Sequence, residues 1–301
     1  MYKNLPFLMI AFAASMWGLI GFFVKTLSAE GFNAMEIVTI RVTAAAVILV
    51  LAGFLFYRSY MKIRLKDLYL FIGTGIFSIV FFNWCYFTAI NLMNIPVAVS
   101  LLYTAPAFVA VLSFIFLKES INKKKLLAII LTVIGCTFAA GLNGSSTSFP
   151  AASILVGLGA GFGYALYSIF GKIALRTYHP FTVTMYTFIV ASAVLLPSTG
   201  ILGKGEMMME SRTLLFAAGL GVFPTVLAYF AYSWGLERVE SSTAAIVATL
   251  EPVVATLLGV FAYGDRLSVL QFLGSMMIIF SVIVVNAKWP IKKQESTSLY
   301  E

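Results

Sequence analysis

Long apolar blocks alternate with short polar joints along almost the whole chain. The blocks hold about 20 residues each, the length of α-helix that crosses the hydrocarbon core of a bilayer. Blocks such as 97–117 and 127–140 are apolar on every side, whereas a helix of a soluble domain keeps a polar face for water. The pattern therefore predicts membrane-spanning helices.

Glycine, proline, asparagine and charged residues mark the joints and divide the chain into ten spans. The first span is too long for the apolar core of a signal peptide, and no cleavage site leads from it into a soluble domain, so we interpret it as retained. The predicted fold class is all-α, a polytopic membrane protein of ten transmembrane helices. The spans are predicted at residues 6–27, 35–57, 67–91, 95–117, 125–141, 150–171, 181–200, 212–235, 241–262 and 267–287.

The composition agrees with this interpretation. Of the 301 residues, 61% are hydrophobic and 11% are charged, against about 25% charged residues in soluble domains. Cys85 and Cys136 lie inside apolar blocks and His179 is the only histidine, so we expect no disulfide, no metal site and no cofactor. The net charge of +8 does not predict nucleic-acid binding, because the basic residues are spread over short joints instead of forming one patch.

The basic residues also predict an orientation. If both termini are cytoplasmic, the inner joints contain fifteen Lys and Arg residues, Lys172 among them, and the outer joints contain four. Cytoplasmic joints of membrane proteins carry an excess of basic residues. We therefore expect a multi-pass protein of the cell membrane, surrounded by lipid, with both termini in the cytoplasm.

The second half of the chain repeats the first. Each repeat has five spans. Because five is an odd number, the second repeat enters the membrane from the opposite side and is inverted relative to the first. Inverted repeats recur in secondary transporters. We predict a first five-helix repeat at residues 1–147, a second at 148–288, and a cytoplasmic tail at 289–301. The pairs at an offset of 146 residues are Gly73 with Gly219, Gly75 with Gly221, Phe77 with Phe223, Tyr86 with Tyr232, Ala98 with Ala244, Pro106 with Pro252 and Glu119 with Asp265; those at an offset of 147 are Trp17 with Tyr164 and Lys25 with Lys172.

Several short motifs accompany this two-repeat layout: Ala14-Ser15-Met16-Trp17-Gly18, Ile40-Arg41, Leu101-Leu102-Tyr103, Pro106, Lys118-Glu119, Leu250-Glu251-Pro252 and Gly264-Asp265. With these motifs the chain resembles the EamA family of the drug/metabolite transporter superfamily, and the likeness covers nearly the whole chain. The resemblance implies a ten-helix basket with an inverted pseudo-two-fold axis and, in most members, export of amino acids, metabolites or drugs. It does not imply a particular substrate.

Glu251 lies near the middle of the ninth span, where an ionisable group costs about 2.5–3.5 kcal/mol or more to insert. Such a group faces a cavity or a partner, and a carboxyl that alternates between charged and neutral forms can carry protons. The alternative is a structural tie to Arg41 or to backbone groups near Pro252. The repeat counterpart is Ala105, so the acid has no symmetric partner.

Arg41 lies about six residues into the second span, roughly 9 Å below its outer end. A guanidinium binds carboxylates in a planar fork and so suits an anionic substrate group. The alternatives are a side chain that extends to the lipid headgroups, or a structural pair with Glu36 or Glu251.

Many tyrosines and tryptophans lie too deep for the interfacial belts of a membrane protein. They serve helix packing or line a cavity that holds organic cargo. We select Trp17, Trp84, Tyr103 and Tyr232 as cavity residues, and expect Asn83 to point inward. The full set is Trp17, Trp84, Tyr86, Tyr103, Tyr164, Tyr167, Tyr229, Tyr232 and Trp234.

Pro106 and Pro252 are paired by the repeat and should kink their helices, which makes them hinge candidates.

The function predicted from these features is secondary transport of small organic metabolites such as amino acids or drugs, in the direction of export and by alternating access, with protons as a candidate coupling ion. An enzyme is not expected, since the spans contain no catalytic residues in a known motif. The alternatives are a passive facilitator or channel, and a membrane assembly protein without transport. The sequence leaves a homodimer open.

Overall fold

The computed structural model describes residues 4–141, 149–264 and 266–286, and all regular structure in these ranges is helical. The all-α fold class is confirmed, and the predicted span limits differ from the observed ones by at most three residues, as at the end of the sixth helix. The helices are α1 Leu5–Ala29, α2 Ala34–Phe56, α3 Leu65–Leu92, α4 Ile95–Leu117, α5 Lys123–Ala139, α6 Ala151–Ala174, α7 Pro180–Ser198, α8 Ser211–Arg238, α9 Ser241–Ala262 and α10 Val269–Asn286.

Nine of these helices are, within the described ranges, long and apolar enough to cross a membrane. The remaining helix, α5, has 17 residues and packs tightly against α10. The Thr132 hydroxyl donates to Ser281 Oγ at 2.8 Å, and Gly135 and Gly274 let the two backbones approach closely. This packing makes α5 a full member of the bundle.

Two helices are interrupted just before their paired prolines. In α4 the helix breaks at Tyr103 and Thr104, and Pro106 follows; in α9 it breaks at Thr249 and Leu250, and Pro252 follows. A proline removes an intrahelical hydrogen bond and clashes with the preceding turn, so it restarts a helix more easily than it continues one. The breaks are therefore present at the expected places, and the hinge role of both prolines stays a prediction.

The same close approaches occur in both halves of the bundle. Gly73 of α3 lies against the ring of Phe170 in α6, and Gly219 of α8 lies against the ring of Phe23 in α1. These two pairs are related by the offsets of 146 and 147 residues seen in the sequence. A second such pair is Gly75 with Val190 and Gly221 with Ala44.

The predicted domain limits at residues 147 and 148, and the tail 289–301, stay predictions. The tail, Asp265 and residues 142–148 lie outside the described residues.

Candidate functional site

A cavity of about 630 Å³ lies inside the bundle. Most of its wall comes from the second halves of α1, α3 and α9, the first halves of α2 and α4, and the end of α5. Tyr164 of α6 and Leu220 and Tyr229 of α8 complete it. These helix ends all meet at the face that carries the joints 30–33 and 93–94, which we call the cavity face. The opposite face carries the joints 57–64, 118–122, 175–179 and 239–240, and we call it the basic face. The cavity is thus built from one half of the bundle.

Aromatic rings form the bottom of this cavity. The Trp17 ring lies 5.1 Å from that of Tyr229, 5.2 Å from that of Tyr232 and 6.3 Å from that of Tyr164. We call these four residues the aromatic floor. Below them is a void of about 10 Å³, and there the Tyr232 hydroxyl shares a hydrogen bond of 2.7 Å with Ser168. The floor separates the cavity from the other half of the bundle.

Two opposite charges lie in the cavity wall. Arg41 is 6% exposed, and Glu251 lies where α9 restarts. The groups that act electrostatically on the Glu251 carboxyl are the Arg41 guanidinium and the Tyr103 hydroxyl. In the described part of the chain, however, Arg41 and Glu251 form no ion pair with each other, and Arg41 Nε is buried without a hydrogen-bond partner. A buried guanidinium N–H without a hydrogen-bond partner is expensive, and ionisable groups at membrane depth typically mark a binding site or transport path.

The sequence left Glu36 open as a second partner for Arg41, and the structure gives Glu36 other partners. Its carboxylate accepts from the Asn33 backbone at 2.7 Å in a capping box at the start of α2, and from Lys204 Nζ at 2.7 Å. The Arg41 guanidinium is also buried and does not extend to the cavity face. Of the structural partners considered for Arg41, this leaves Glu251, which acts on it electrostatically.

The structure brings five of the seven selected site residues to the cavity wall: Arg41, Glu251, Trp17, Tyr103 and Asn83. The Asn83 amide donates to the Ile79 carbonyl at 2.7 Å, which leaves its oxygen as an acceptor.

The other two selected residues lie elsewhere. Tyr232 is below Trp17, in the floor, and lines the small void instead of the cavity. Trp84 is 53% exposed and lies outside the cavity lining, on the outer surface of α3. Adjacent helical residues point about 100° apart, which is why Asn83 faces inward and Trp84 does not. We leave Trp84 out of the proposed site.

At the basic face, charged side chains hold the joint between α8 and α9. The Lys172 ammonium donates to the carbonyls of Leu236 at 2.6 Å, Glu237 at 3.2 Å and Val239 at 2.7 Å, at the C-terminus of α8. The Glu119 carboxylate accepts from the backbone N–H groups of Ser241 at 2.7 Å and Ser242 at 3.2 Å, at the N-terminus of α9. A cation at a C-terminus and an anion at an N-terminus both complement the helix dipole. We call Lys172 and Glu119, with the helix ends they bind, the clamp. The sequence did not indicate it.

A second ion pair supports the clamp. Lys125, 3% exposed at the start of α5, lies 2.7 Å from the Glu240 carboxylate and donates to the Ser120 carbonyl at 2.6 Å. On the same face the His179 ring stacks on that of Tyr60 at 4.2 Å, and burial lowers the pKa of the histidine. These contacts hold helix ends together at the basic face, and we call this the closed end of the bundle.

The described residues contain no group of three or more His, Cys, Asp or Glu side chains that could hold a metal ion. Cys85 and Cys136 are both buried and free.

Apolar helices that surround a cavity open at one face and closed at the other define a polytopic membrane transport protein. The chain belongs to the EamA-like transporter family, whose model matches residues 4–141 and again residues 151–287. The resemblance inferred from the motifs is confirmed.

Relatives agree with this assignment, and a solved structure shares the fold. An uncharacterized transporter of Archaeoglobus fulgidus is 32% identical over 199 residues, covering 66% of this chain and 70% of that protein. The uncharacterized transporter YwfM of Bacillus subtilis is 26% identical over 288 residues, covering 95% of both chains. A crystal structure with 18% identity superimposes with a TM-score of 0.77 over 93% of this chain and 96% of that one, which shows the fold alone.

Proposed function

We propose that the chain is a secondary transporter that exports small organic molecules, such as amino acids or drugs, across the cytoplasmic membrane by alternating access. The observation that carries this proposal is a pair of opposite charges in the wall of one cavity, the buried Arg41 and the half-buried Glu251, which form no ion pair with each other. The export direction rests on the family resemblance.

The cavity chemistry favours a cargo with both an anionic and a cationic group. Arg41 offers its buried Nε to a carboxylate, and Glu251 offers a carboxylate to an ammonium group. The rings of Trp17 and Tyr103 supply flat apolar surface between these two ends, and Trp17 Nε1 is a second buried donor without a partner. A volume of about 630 Å³ is within the usual range for small-molecule sites.

A channel has less support than a carrier. The aromatic floor and the clamp lie one behind the other between the cavity and the basic face. A continuous pore would need both to be open at once, whereas alternating access opens one side at a time. A passive facilitator uses the same geometry without a coupling ion.

Glu251 also supports proton coupling. Its carboxyl lies among aromatic and apolar side chains where it can bind either a proton or a cationic cargo group, and competition between the two would couple their movements in opposite directions. Glutamine keeps the shape of the side chain and removes the exchangeable charge.

The test is uptake into proteoliposomes from a panel of radiolabelled amino acids, dipeptides, amines and organic acids, with and without an imposed pH gradient. We expect uptake of a zwitterionic member, accelerated by the gradient, and at least a tenfold loss of the gradient response in Glu251→Gln. Glu206→Gln, at an exposed position between α7 and α8, is the matched control. If uptake does not depend on the pH gradient and Glu251→Gln leaves it unchanged, Glu251 has no role in proton coupling. If folded protein takes up no compound of the panel, the proposed function is wrong.

The aromatic floor has its own matched pair of variants. Trp17→Ala opens the floor and removes a ring that touches cargo, so we expect the uptake rate to fall at least tenfold. Trp84→Ala removes the same side chain from the exposed side of α3, so uptake should stay within about twofold of the wild type. Equal losses in the two variants would contradict the assignment of Trp17 to the route.

A further inference from the structure

Repeat-related residues of the two halves occupy different environments. Val99 and Ala255 line the open cavity. Their counterparts at an offset of 146 residues are Ala245, 1% exposed, and Val109, fully buried, both packed at the closed end of the bundle. One set of repeat positions is therefore open and the other closed in the same molecule.

The clamp lysine has a counterpart at the cavity face. Lys25, near the end of α1, pairs with Lys172 in the repeat and is exposed. The carbonyls that Lys172 binds belong to Leu236, Glu237 and Val239, and the residues 146 positions earlier are Ile90, Asn91 and Met93, at the C-terminus of α3.

In this structure the cavity lies between these two elements. Val24, next to Lys25, and Ile90, at the end of α3, both belong to the cavity wall. At the basic face the corresponding helices, α6 and α8, are joined by Lys172.

We propose that Lys172 and Lys25 are alternating latches: Lys172 holds the basic face closed while the cavity is open, and Lys25 binds the C-terminal carbonyls of α3 when the cavity closes. This inference rests on the proposed function, because it assigns the two lysines a part in alternating access.

The chemistry of a latch fits a lysine at a helix C-terminus. The last carbonyls of a helix have no intrahelical donors, and they carry the negative end of the dipole. An ammonium group with three N–H donors satisfies several of them at once and releases them without a covalent step. The bonds form only when the lysine-bearing helix and the helix end come together, so each latch stabilises one state.

The latches predict opposite effects on access. The measurement is the rate of labelling by a water-soluble maleimide of purified protein in lipid nanodiscs, where both faces are exposed to reagent. The reporters are Ala255→Cys in the cavity and Ala245→Cys at the closed end, each in a Cys85→Ala/Cys136→Ala background. In Lys172→Met we expect labelling to slow at Ala255→Cys and to accelerate at Ala245→Cys, and the two fold-changes should multiply to about fivefold, which corresponds to a shift of about 1 kcal/mol between the two states. In Lys25→Met we expect the reverse.

Controls separate a latch from a structural residue. Lys62→Met, an exposed lysine of the basic face, should leave both reporters unchanged. If Lys172→Met does not fold, Glu119→Gln weakens the other half of the clamp and should shift the reporters in the same direction. The double variant Lys25→Met/Lys172→Met should return both rates toward the wild type.

Shifts of the same sign in both lysine variants, or none in either, would overturn the latch. That result leaves the proposed function standing if wild-type protein transports cargo. If the two lysine variants shift the labelling rates in opposite directions but wild-type protein transports no compound of the panel, the latch proposal stands and the proposed cargo is wrong.

Discussion

At Arg41, stability and function place opposite demands on one side chain. A charged side chain at membrane depth costs about 2.5–3.5 kcal/mol, and the buried Nε has no hydrogen bond to offset this cost. A protein selected for stability alone would place an apolar residue here. Under the proposed function the guanidinium is needed, because a carboxylate of the cargo would supply the partner that Arg41 Nε lacks.

We therefore expect Arg41→Met to separate the two properties. Methionine matches the length of the arginine stem and removes the charge, so the melting temperature should equal or exceed that of the wild type, while affinity for the cargo found in the panel falls at least tenfold. Thermal unfolding in detergent and a binding titration measure these two quantities. Arg58→Met, at an exposed position of the basic face, should change neither. A lower melting temperature with intact binding would make Arg41 structural.

Residue-scale prediction from the sequence depended on helical geometry. The deep charges Arg41 and Glu251 were identifiable because an ionisable residue inside an apolar span is conspicuous, and both line the cavity. Trp84 was chosen as a deep aromatic residue of an apolar span, without regard to the side of α3 on which it lies. Asn83, Tyr86 and Ile90 are three and four residues apart, so they lie on one side of α3, and all three line the cavity. This spacing in the sequence would have identified the side of α3 that faces the cavity.

At the scale of elements, the pairing of α5 with α10 depends on two glycines. A Cβ on Gly274 would lie 2.5 Å from the backbone N of Ala139 and 2.5 Å from the carbonyl oxygen of Gly135. Such an approach gains van der Waals contact between helices where apolar surroundings provide no hydrophobic drive. The short helix α5 relies on this contact.

We expect Gly274→Leu to break this helix pair. The added side chain has no space, so the loss of stability should exceed about 2 kcal/mol, a large value for overpacking. Gly203→Leu, at a position with no atom near its Cβ, should cost little. Fluorescence-detected size exclusion after heating measures the stability of both variants. Equal melting curves would show that the close contact between α5 and α10 does not contribute to the stability of the protein.

Element limits were predictable from the sequence, whereas the roles of their ends were not. Apolar length and joint residues define a span almost completely, which is why α4 and α9 begin at the predicted residues. Lys172 was interpreted as a topology signal in a joint, yet it lies within α6 and binds another helix. A contact between chain segments 64 residues apart has no local signature.

At the scale of the whole molecule, the position of the cavity shows which face is open. The distribution of basic residues over the joints predicts on which side of the membrane that face lies. The basic residues predict that the cavity face is outside and both termini are in the cytoplasm. Green fluorescent protein fused after Glu301 should then fluoresce, alkaline phosphatase inserted at Gly203 should be active, and the same enzyme inserted at Lys62 should be inactive. The opposite pattern of activities would invert the orientation and place the open cavity on the cytoplasmic side.

The sequence repeat also shows why the state of the molecule was beyond sequence analysis. Two halves with matching glycines, prolines and lysines do not indicate which end of the bundle carries the cavity, and only the three-dimensional packing of the helices shows it. Under the proposed alternating access, small differences in packing free energy between two such arrangements decide their populations.

The aromatic floor has a consequence for the cell when no cargo is present. Below Trp17 the free space is about 10 Å³, enough for about one water molecule, so the rings interrupt any chain of water along which protons could hop. A membrane at a potential of 100 mV drives each leaked charge with about 2.3 kcal/mol. Under the proposed function we expect the rings around Trp17 to act as electrical insulation, so that a protein without cargo leaves the energy stored across the membrane intact.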